Sequence, residues 1–244
     1  EFLNVGAKVV VADMAPEAPA YDGASDDNFL YVQTNVTSKE SVDGMVAQAV
    51  EKFGTLDVLV NNAGINIPRL LVDPKDPNGK YELDEAVWDK VTAVNFKGVF
   101  LCAQAVGRVL AAKGAGVIIN MSSESGLEGS EGQSVYAATK NAVNSLTRSW
   151  AKELGKLGVR VVGVAPGIME ATGLRTLAYE EALAYTRGIT VDDLRAGYSK
   201  TSTTPLGRSG KLSEVATTCA FLASEKAGYI HGVTLNVAGG KTRG

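Results

Sequence analysis

The fold of this chain is indicated by residues 116–140, which read GVIINMSSESGLEGSEGQSVYAATK. They open with a continuous apolar run, Gly116 to Met121, and such runs are typical of strands that are buried on both faces of a parallel sheet. A helical pattern of apolar residues then begins at Ser134 and continues to Leu157, where Gly158 suits the end of a helix. The stretch therefore predicts a buried parallel strand, a polar connection and a long helix.

Similar units extend on both sides of this stretch. The other short apolar runs are Ala7 to Ala12, Phe29 to Gln33, Leu56 to Val60, Val159 to Ala165 and Val233 to Val237. The helical patterns between them are Val42 to Phe53 after a capping box of Thr37 and Glu40, Leu83 to Ala112 with a break near Asn95, and Leu212 to Ala223. This alternation predicts an α/β fold, a doubly wound, Rossmann-like parallel sheet in a three-layer α/β/α arrangement.

Two stretches interrupt the alternation within what we expect to be a single domain, residues 1–244. Ile67 to Tyr81 contains three of the seven prolines and predicts an ordered loop. Glu170 to Pro205 is longer and mixed, and it lies between the end of a strand and the next helix, where α/β folds bind ligands. We therefore expect residues 170–205 to form a substrate lid.

Composition narrows the classes of function. With 244 residues, 45% of them hydrophobic, the chain can bury one sizeable core, and its net charge of −3 gives no basic excess for binding nucleic acid. No apolar run reaches the ~18 residues of a membrane helix, so no membrane partner is expected. Cys102 and Cys219 lie far apart in apolar patterns and indicate a reducing compartment, the cytoplasm. The single histidine, His231, disfavours a zinc site or a Ser-His-Asp triad, and we expect no metal.

Tyr136 and Lys140 are the first candidates for catalysis, because residues four apart on a helix share one face. A phenol with a pKa of about 10 is a poor base near neutral pH, whereas a neighbouring ammonium favours the phenolate. Lowering this pKa by about 3 units requires roughly 4 kcal/mol, to which a close cation would contribute. The alternative is a coincidental pair, so the interpretation depends on the surrounding residues.

Three further polar residues support a site at the carboxyl ends of the strands. Ser123 follows a buried strand, where its hydroxyl could hold a substrate oxygen, although it could also only cap a turn. Asn95 lies inside a helical pattern, where asparagine is a poor helix former. It is either a tolerated exposed residue or a local break that binds water and relays protons. Asp13 ends the first strand, where a carboxylate can bind both ribose hydroxyls of NAD and repel the 2′-phosphate of NADP.

Two turns complete this candidate site. Asn62, Ala63 and Gly64 directly follow a strand and permit a tight turn beside a ligand, and Pro166-Gly167 ends another strand. Either could instead be a simple chain reversal.

Taken in order along the chain, these features resemble the short-chain dehydrogenase/reductase family. The matching segments are VVVAD, NVTS, LVNNAG, IINMSSESG, YAATK, VAPGI, PLGRSGKLSEVATTCAFLAS and GVTLNVAGG. The resemblance implies an NAD-dependent enzyme that transfers a hydride between the cofactor and a secondary alcohol or ketone. It implies a catalytic tetrad of Asn95, Ser123, Tyr136 and Lys140. It also implies a homotetramer that is assembled through the two long helices, near Leu83 to Ala112 and Ser134 to Leu157.

The resemblance also implies which residues contact the cofactor. Besides Tyr136 and Lys140, they are Asp13, Asn35, Val36, Asn62, Ala63, Gly64, Pro166, Gly167 and Ile168. The sequence departs from the family pattern twice. The family's opening strand and Gly-rich turn are missing, and the chain begins near the end of the following helix. The usual threonine, five residues after the proline, is Ala171, so we assign its role to Thr172.

Within the family, residues 65–81 and 167–190 resemble a subgroup that acts on polyol or sugar phosphates such as sorbitol 6-phosphate. Ser123 and Tyr136 are expected to contact this substrate, and arginines of the two variable loops could clamp its phosphate. The candidates are Arg69 and Arg175, followed by Arg187 and Arg195, and the alternative for each is a solvated surface arginine. Three other functions stay open: a 3-oxoacyl thioester reductase, a non-catalytic nucleotide-binding scaffold, and a truncated, inactive fragment.

Overall fold

The computed structural model describes residues 1–200 and 204–242, without the side chains of residues 199 and 200. Its strands are β1 Val9–Asp13, β2 Phe29–Gln33, β3 Val58–Asn61, β4 Gly116–Met121, β5 Val159–Pro166 and β6 Thr234–Val237. Its α-helices are α1 Lys39–Phe53, α2 Glu85–Thr92, α3 Val99–Lys113, α4 Ser125–Glu128, α5 Ser134–Leu154, α6 Leu177–Thr186, α7 Val191–Lys200 and α8 Leu212–Ala223. A π-helical segment, Ala93–Gly98, joins α2 to α3, and short 3₁₀ turns follow α5 and α8.

Every strand pair within the described residues is parallel, which confirms the predicted sheet type. β1 pairs with β2, and β3, β4, β5 and β6 follow one another in a four-stranded sheet. β1 and β3 are not paired within the described residues, so the sheet is split at the position where the family resemblance expects one more strand. Apolar side chains of both strands, together with Val99, Cys102 and Val106 of α3, line the intervening space.

Two hydrophobic clusters cover the two faces of the sheet. Ile118 of β4 and Val161 of β5 pack on one face with residues of α1, α3 and α5. Ile119 and Val162, the next residues along the same strands, pack on the other face with Cys219 and Leu222 of α8. Because successive side chains of a strand point to opposite faces, this distribution explains why β4 and β5 are continuously apolar. The protein is therefore a single three-layer α/β/α domain.

The helix boundaries differ from the predictions in small ways. Ser38, and not Thr37, is the N-cap of α1, since the Thr37 amide and hydroxyl both bond to the Asn35 side chain. The run Glu85–Lys113 is 29 residues long and, by length and composition, apolar enough to cross a membrane. Of its most apolar window 56% is buried inside the protein, as is usual for a core helix of a folded domain.

The two variable stretches meet near the carboxyl ends of the strands. The loop from Ile67 to Tyr81 has no helix, as predicted, and the Tyr185 hydroxyl of α6 donates to the Asp73 carboxylate at 2.7 Å. The proposed lid, residues 170–205, contains α6 and α7, which pack on each other through Leu183, Ala184 and Leu194. Its residues 201–203 lie outside the described part of the chain.

Candidate active site

The site is built around a cavity of about 1410 Å³ that runs from the split in the sheet to the carboxyl ends of β3, β4 and β5. Parallel strands bring their carboxyl ends to one edge, and the register places Asn61 of β3 opposite Asn120 of β4. The residues that follow these strands therefore face the same space. Ser123, Tyr136 and Lys140 all line it.

Asn95 is completely buried on the π-helical segment, so it is not an exposed, tolerated asparagine. Its side chain accepts a hydrogen bond from the Ile65 amide and donates one to the Ile65 carbonyl, both at 2.8 Å. It also donates to the Thr139 hydroxyl at 3.3 Å. The predicted local break is present, and π-helical turns of this kind are frequent at functional sites. Asn95 thereby fixes the turn after β3 against helix α5.

Ser123 and Tyr136 are in contact across the end of β4. The Ser123 hydroxyl interacts with the Tyr136 phenol, an interaction that lowers the pKa of the phenol. The same serine oxygen accepts a hydrogen bond from the Ser125 amide at 3.2 Å, so Ser123 also caps the turn that leads into α4. The two interpretations of this serine, as a substrate ligand and as a turn residue, are therefore compatible.

Lys140 lies one helical turn after Tyr136, with its ammonium nitrogen 5.7 Å from the centre of the tyrosine ring. The ammonium donates to the Met121 carbonyl at 2.8 Å, and the Ser122 hydroxyl in turn donates to the Lys140 carbonyl at 3.0 Å. The residue is only 5% exposed, and burial lowers its pKa from 10.5 to about 8. At neutral pH the group is still mostly charged.

Lys140 was expected to lower the pKa of the Tyr136 phenol, but in the protein without ligand this pKa is raised. Burial raises the pKa of the Tyr136 phenol above 10.0, and the negative charge of Glu124 raises it further, whereas only the Ser123 interaction lowers it. The physical reason is that the Lys140 ammonium donates to the Met121 carbonyl, while the phenol is desolvated. The free protein therefore holds Tyr136 as a neutral phenol, and ionisation requires additional positive charge.

The residues around Lys140 fit a dinucleotide. An ammonium has three donors, and within the described residues Lys140 uses one of them, which leaves two for ligand hydroxyls. A side-chain carbon added at Gly64 would lie 3.4 Å from the Asn95 amide oxygen and 3.5 Å from the Lys140 nitrogen. The missing side chain of Gly64 thus leaves a cradle beside buried donors, of the kind that a ribose and a nicotinamide ring would fill.

Most of the residues expected to contact the cofactor line the same cavity. They are Asp13, Val36, Asn62, Ala63, Gly64, Tyr136, Lys140, Pro166, Gly167, Ile168 and Thr172. Asn35 does not line it, because its side chain accepts two hydrogen bonds from Thr37 and shapes the turn before α1. Thr172 faces the cavity and Ala171 does not, although the Thr172 hydroxyl also accepts a hydrogen bond from the Leu174 amide at 3.3 Å.

The four candidate arginines divide into two groups. Arg175 and Arg187 line the cavity, where Arg175 stacks on Tyr198 at 3.9 Å from the ring centre. Arg69 does not reach the cavity, since its guanidinium donates to the Pro68 carbonyl and lies over the Tyr81 ring. Arg195 is also outside the cavity and forms an ion pair with Glu180 at 2.7 Å. The assignment of Arg69 to a substrate-contacting position is therefore not supported by its placement.

Two charged residues of the site were missed by the sequence analysis. Glu124 directly follows Ser123 and is 8% exposed, and Lys241 near the C-terminus forms an ion pair with it at 2.8 Å. Both residues line the cavity. The position of a carboxylate next to a strand-end serine is a signal that could have identified Glu124. Lys241 gave no such signal, because it lies 117 residues away along the chain.

Comparison with known proteins agrees with this geometry. A family model described as enoyl-(acyl carrier protein) reductase matches residues 1–242. A sorbitol-6-phosphate 2-dehydrogenase of Klebsiella pneumoniae is 56% identical over 244 residues, which cover 100% of this chain and 90% of the relative. A 3-oxoacyl-[acyl-carrier-protein] reductase of Thermotoga maritima is 36% identical over an alignment of 250 positions, gaps included, and the alignment covers 98% of this chain and 89% of that protein.

A solved structure is similar over nearly the whole chain. It is a 3-ketoacyl-(acyl-carrier-protein) reductase from Brucella melitensis complexed with NADH, with a TM-score of 0.78 and 31% sequence identity. The match covers 99% of this chain and 90% of that one. Together with the arrangement of Asn95, Ser123, Tyr136 and Lys140 around one cavity, these matches identify the chain as an oxidoreductase that belongs to the short-chain dehydrogenase/reductase family.

Proposed function

We propose that this chain transfers a hydride between NAD(H) and a secondary alcohol of a polyol phosphate, and that the alcohol is carbon 2 of sorbitol 6-phosphate. The observation that carries the proposal is the contact of Ser123 with Tyr136 beside the buried Lys140 ammonium. The substrate follows from the 56% identity to a sorbitol-6-phosphate 2-dehydrogenase over the full length of the chain.

In the oxidative direction, Ser123 and Tyr136 hold the substrate hydroxyl between them. Tyr136, as phenolate, accepts the hydroxyl proton, while Ser123 donates a hydrogen bond to the same oxygen. When bound, NAD supplies the acceptor for the hydride that leaves the carbon, and its positive ring favours the phenolate. In the reductive direction Tyr136 returns the proton to the developing alkoxide.

Lys140 and Asn95 support this proton transfer. The Lys140 ammonium stabilises the phenolate charge, and its two remaining donors would hold the hydroxyls of the nicotinamide ribose. Asn95 holds the turn that carries Gly64, and so keeps the cofactor side of the cavity open next to Lys140. Any water that Asn95 orders would take up the proton that Tyr136 has accepted and carry it to solvent, which restores the phenolate.

Asp13 makes NAD the preferred dinucleotide. Its carboxylate lies at the end of β1 and lines the cavity, and among the described residues it accepts one hydrogen bond, from the Ala15 amide at 2.9 Å. A second carboxylate oxygen is therefore available for a ribose hydroxyl, and the negative charge repels the 2′-phosphate of NADP.

The phosphate of the substrate would bind at the lid end of the cavity. Arg187 is half-buried there, and the only hydrogen bond of its guanidinium within the described residues is a long one of 3.5 Å to the Ser130 hydroxyl. Its positive charge acts to lower the pKa of the nearby Tyr179 phenol. The Tyr179 hydroxyl accepts a hydrogen bond from Gln133, which lies three residues before Tyr136. Arg187 with Arg175 thus offers two guanidinium groups within the same cavity as the reaction centre.

The proposed function is tested by a side-by-side substrate assay of the full chain. We expect turnover of sorbitol 6-phosphate with NAD, at least about tenfold slower turnover with NADP, and little reduction of an acetoacetyl thioester. Preferred turnover of the thioester with NADPH would instead identify a 3-oxoacyl thioester reductase. Binding of NAD without turnover of any alcohol would identify a nucleotide-binding scaffold.

Replacement of Arg187 by methionine tests the phosphate site. We expect the KM for sorbitol 6-phosphate to rise about 10- to 100-fold, because a hydrogen-bonded charge on phosphate contributes roughly 1.5–3 kcal/mol. Activity with unphosphorylated sorbitol should change less than about twofold. Arg208→Met is the matched control, since Arg208 pairs with Glu214 outside the main cavity. An equal loss with both polyols would contradict a role in phosphate binding.

We also propose a cytoplasmic homotetramer. Trp88, Phe96 and Phe100, on and around α2 and α3, are 49%, 41% and 42% exposed, and a second copy of the chain would cover them. Both cysteines are buried and free, as is usual for a reducing compartment.

A further inference from the structure

Glu124 is a buried carboxylate at the reaction centre that the proposed mechanism does not use. It follows Ser123 directly, it is 8% exposed, and its amide donates to the Pro166 carbonyl at 3.0 Å. This bond joins the segment after β4 to the end of β5. A buried carboxylate is costly unless other groups pair with it, so its partners indicate what it does.

In the part of the chain that the structure describes, both partners of the Glu124 carboxylate come from the C-terminal segment. One oxygen accepts a hydrogen bond from the Lys241 ammonium at 2.8 Å, and the other accepts one from the Thr242 hydroxyl at 3.1 Å. Lys241 also bonds to Glu128 of α4 at 3.1 Å. The segment is placed by its own backbone, since the Lys241 amide donates to the Ala238 carbonyl just after β6. The C-terminal segment is thus attached to the residue next to the catalytic serine.

We propose that Lys241 is a positioning residue that neutralises Glu124 beside Tyr136 and thereby sets the pH at which Tyr136 acts as the catalytic base. This inference rests on the proposed role of Tyr136. It adds a residue outside the tetrad, on a different element, to the control of proton transfer.

The signs of the charges around Tyr136 decide the direction of the effect. A carboxylate near the phenol opposes formation of the phenolate, because two negative charges then share one poorly solvated site. The Glu124 charge does act on Tyr136 in this direction. The Lys241 ammonium, 2.8 Å from the carboxylate, has the opposite charge and opposes that field, so loss of the ammonium strengthens the effect of Glu124 against the phenolate.

The other charged groups around Tyr136 lie on separate elements. Lys140 is on the same helix as Tyr136, and Glu128 of α4 forms a second ion pair with Lys241. The lid side of the cavity carries Glu170, Arg175, Arg187 and Asp193. Among these groups, Glu124 is the one that directly follows Ser123 in the chain. Glu124 and its partner Lys241 can both be substituted without changing a residue of the tetrad.

The test is the pH profile of kcat for sorbitol 6-phosphate oxidation with the full chain and saturating NAD. We expect Lys241→Met to move the rising limb up by about half to one pH unit, which is a roughly three- to tenfold loss of kcat on that limb and none on the plateau. Glu124→Gln should move the limb in the opposite direction. The double variant should return close to the parent profile, and Lys241→Arg should preserve it.

Two controls separate charge from structure. Lys39→Met breaks an exposed lysine–aspartate ion pair on α1 and should leave the profile unchanged. Hydrogen exchange of the Lys241 amide reports whether the C-terminal segment stays attached. A shifted profile with retained amide protection supports the proposal. A profile that superimposes on the parent, or equal shifts for Lys241→Met and Glu124→Gln, overturns it.

The Tyr136→Phe variant distinguishes failure of this inference from failure of the proposed function. If Tyr136→Phe keeps full activity, then the catalytic assignment itself is wrong. If Tyr136→Phe is inactive while Lys241→Met changes only the KM for the phosphorylated substrate, then Lys241 binds substrate and does not tune the base.

Discussion

Replacement of Tyr136 by phenylalanine is expected to lower kcat for sorbitol 6-phosphate oxidation by about a thousandfold or more. The phenol oxygen is the group that accepts the substrate proton, and a positioned general base contributes typically 10²–10⁴-fold to a rate. The change removes one oxygen atom from a half-buried ring and leaves the ring's packing in place. Steady-state kinetics over a range of pH will measure the loss.

The affinity for the cofactor should be nearly unchanged in the same variant. The donors expected to bind the ribose belong to Lys140, which keeps its hydrogen bond to the Met121 carbonyl when Tyr136 is changed. The dissociation constant of NADH, measured by fluorescence, should therefore stay within about threefold of the parent value. Tyr229→Phe is the matched control, because Tyr229 is fully exposed and does not line the cavity. Normal turnover by the Tyr136 variant would rule out Tyr136 as the base.

The sheet could be predicted because its signal is local and repeated. β4 and β5 are buried on both faces, and their continuous apolar runs follow directly from that environment. The pairing of Tyr136 with Lys140 could also be predicted, because helix geometry alone places residues four apart on one face. Ser123 required only the rule that strand ends gather at one edge of a parallel sheet.

The contacts that orient the site could not be predicted in this way. Asn95 is held by Ile65, 30 residues earlier, and by Thr139, 44 residues later, and only the folded chain brings them together. The same limit applies to the arginines. All four lie in variable loops of similar composition, yet Arg195 is paired with Glu180 and Arg69 lies over Tyr81, whereas Arg175 and Arg187 face the cavity.

Local rules also failed where two polar groups competed for one position. A threonine three residues before a glutamate predicted the start of α1 at Thr37, but the Asn35 side chain takes both hydrogen bonds from Thr37, and Ser38 caps the helix. The pKa of Tyr136 is a second property that local rules did not predict. The helical spacing indicated a neighbouring cation, but it did not indicate the burial that outweighs it in the unliganded protein.

Replacement of Lys140 by methionine should abolish activity and still make the protein slightly more stable at pH 7. Activity should fall by about a thousandfold, since the phenolate loses its neighbouring cation, and NAD should bind at least tenfold more weakly because two ribose donors are lost. This loss of affinity distinguishes the variant from Tyr136→Phe. Methionine has a similar length and fills the same buried space without a charge.

The stability prediction follows from the pKa of Lys140. Burial lowers it from 10.5 to about 8, so at neutral pH the folded protein carries a desolvated ammonium at a cost of about 3 kcal/mol. Removing the ammonium relieves this cost, but loss of its hydrogen bond to the Met121 carbonyl offsets about 1–3 kcal/mol of the relief. The free energy of unfolding of the variant should therefore be about 1 kcal/mol higher than that of the parent protein.

The difference in free energy of unfolding between Lys140→Met and the parent protein should change sign with pH. Between pH 8 and 10.5 the unfolded parent protein keeps a proton on Lys140 that the folded protein has lost, so the parent becomes more stable as the pH rises. The advantage of Lys140→Met should therefore be full below about pH 8, shrink through this interval and reverse near its upper end. Denaturant unfolding of both proteins at several pH values measures it. A difference that is independent of pH would mean that Lys140 is not a desolvated cation, and the electrostatic basis for its role beside Tyr136 would be lost.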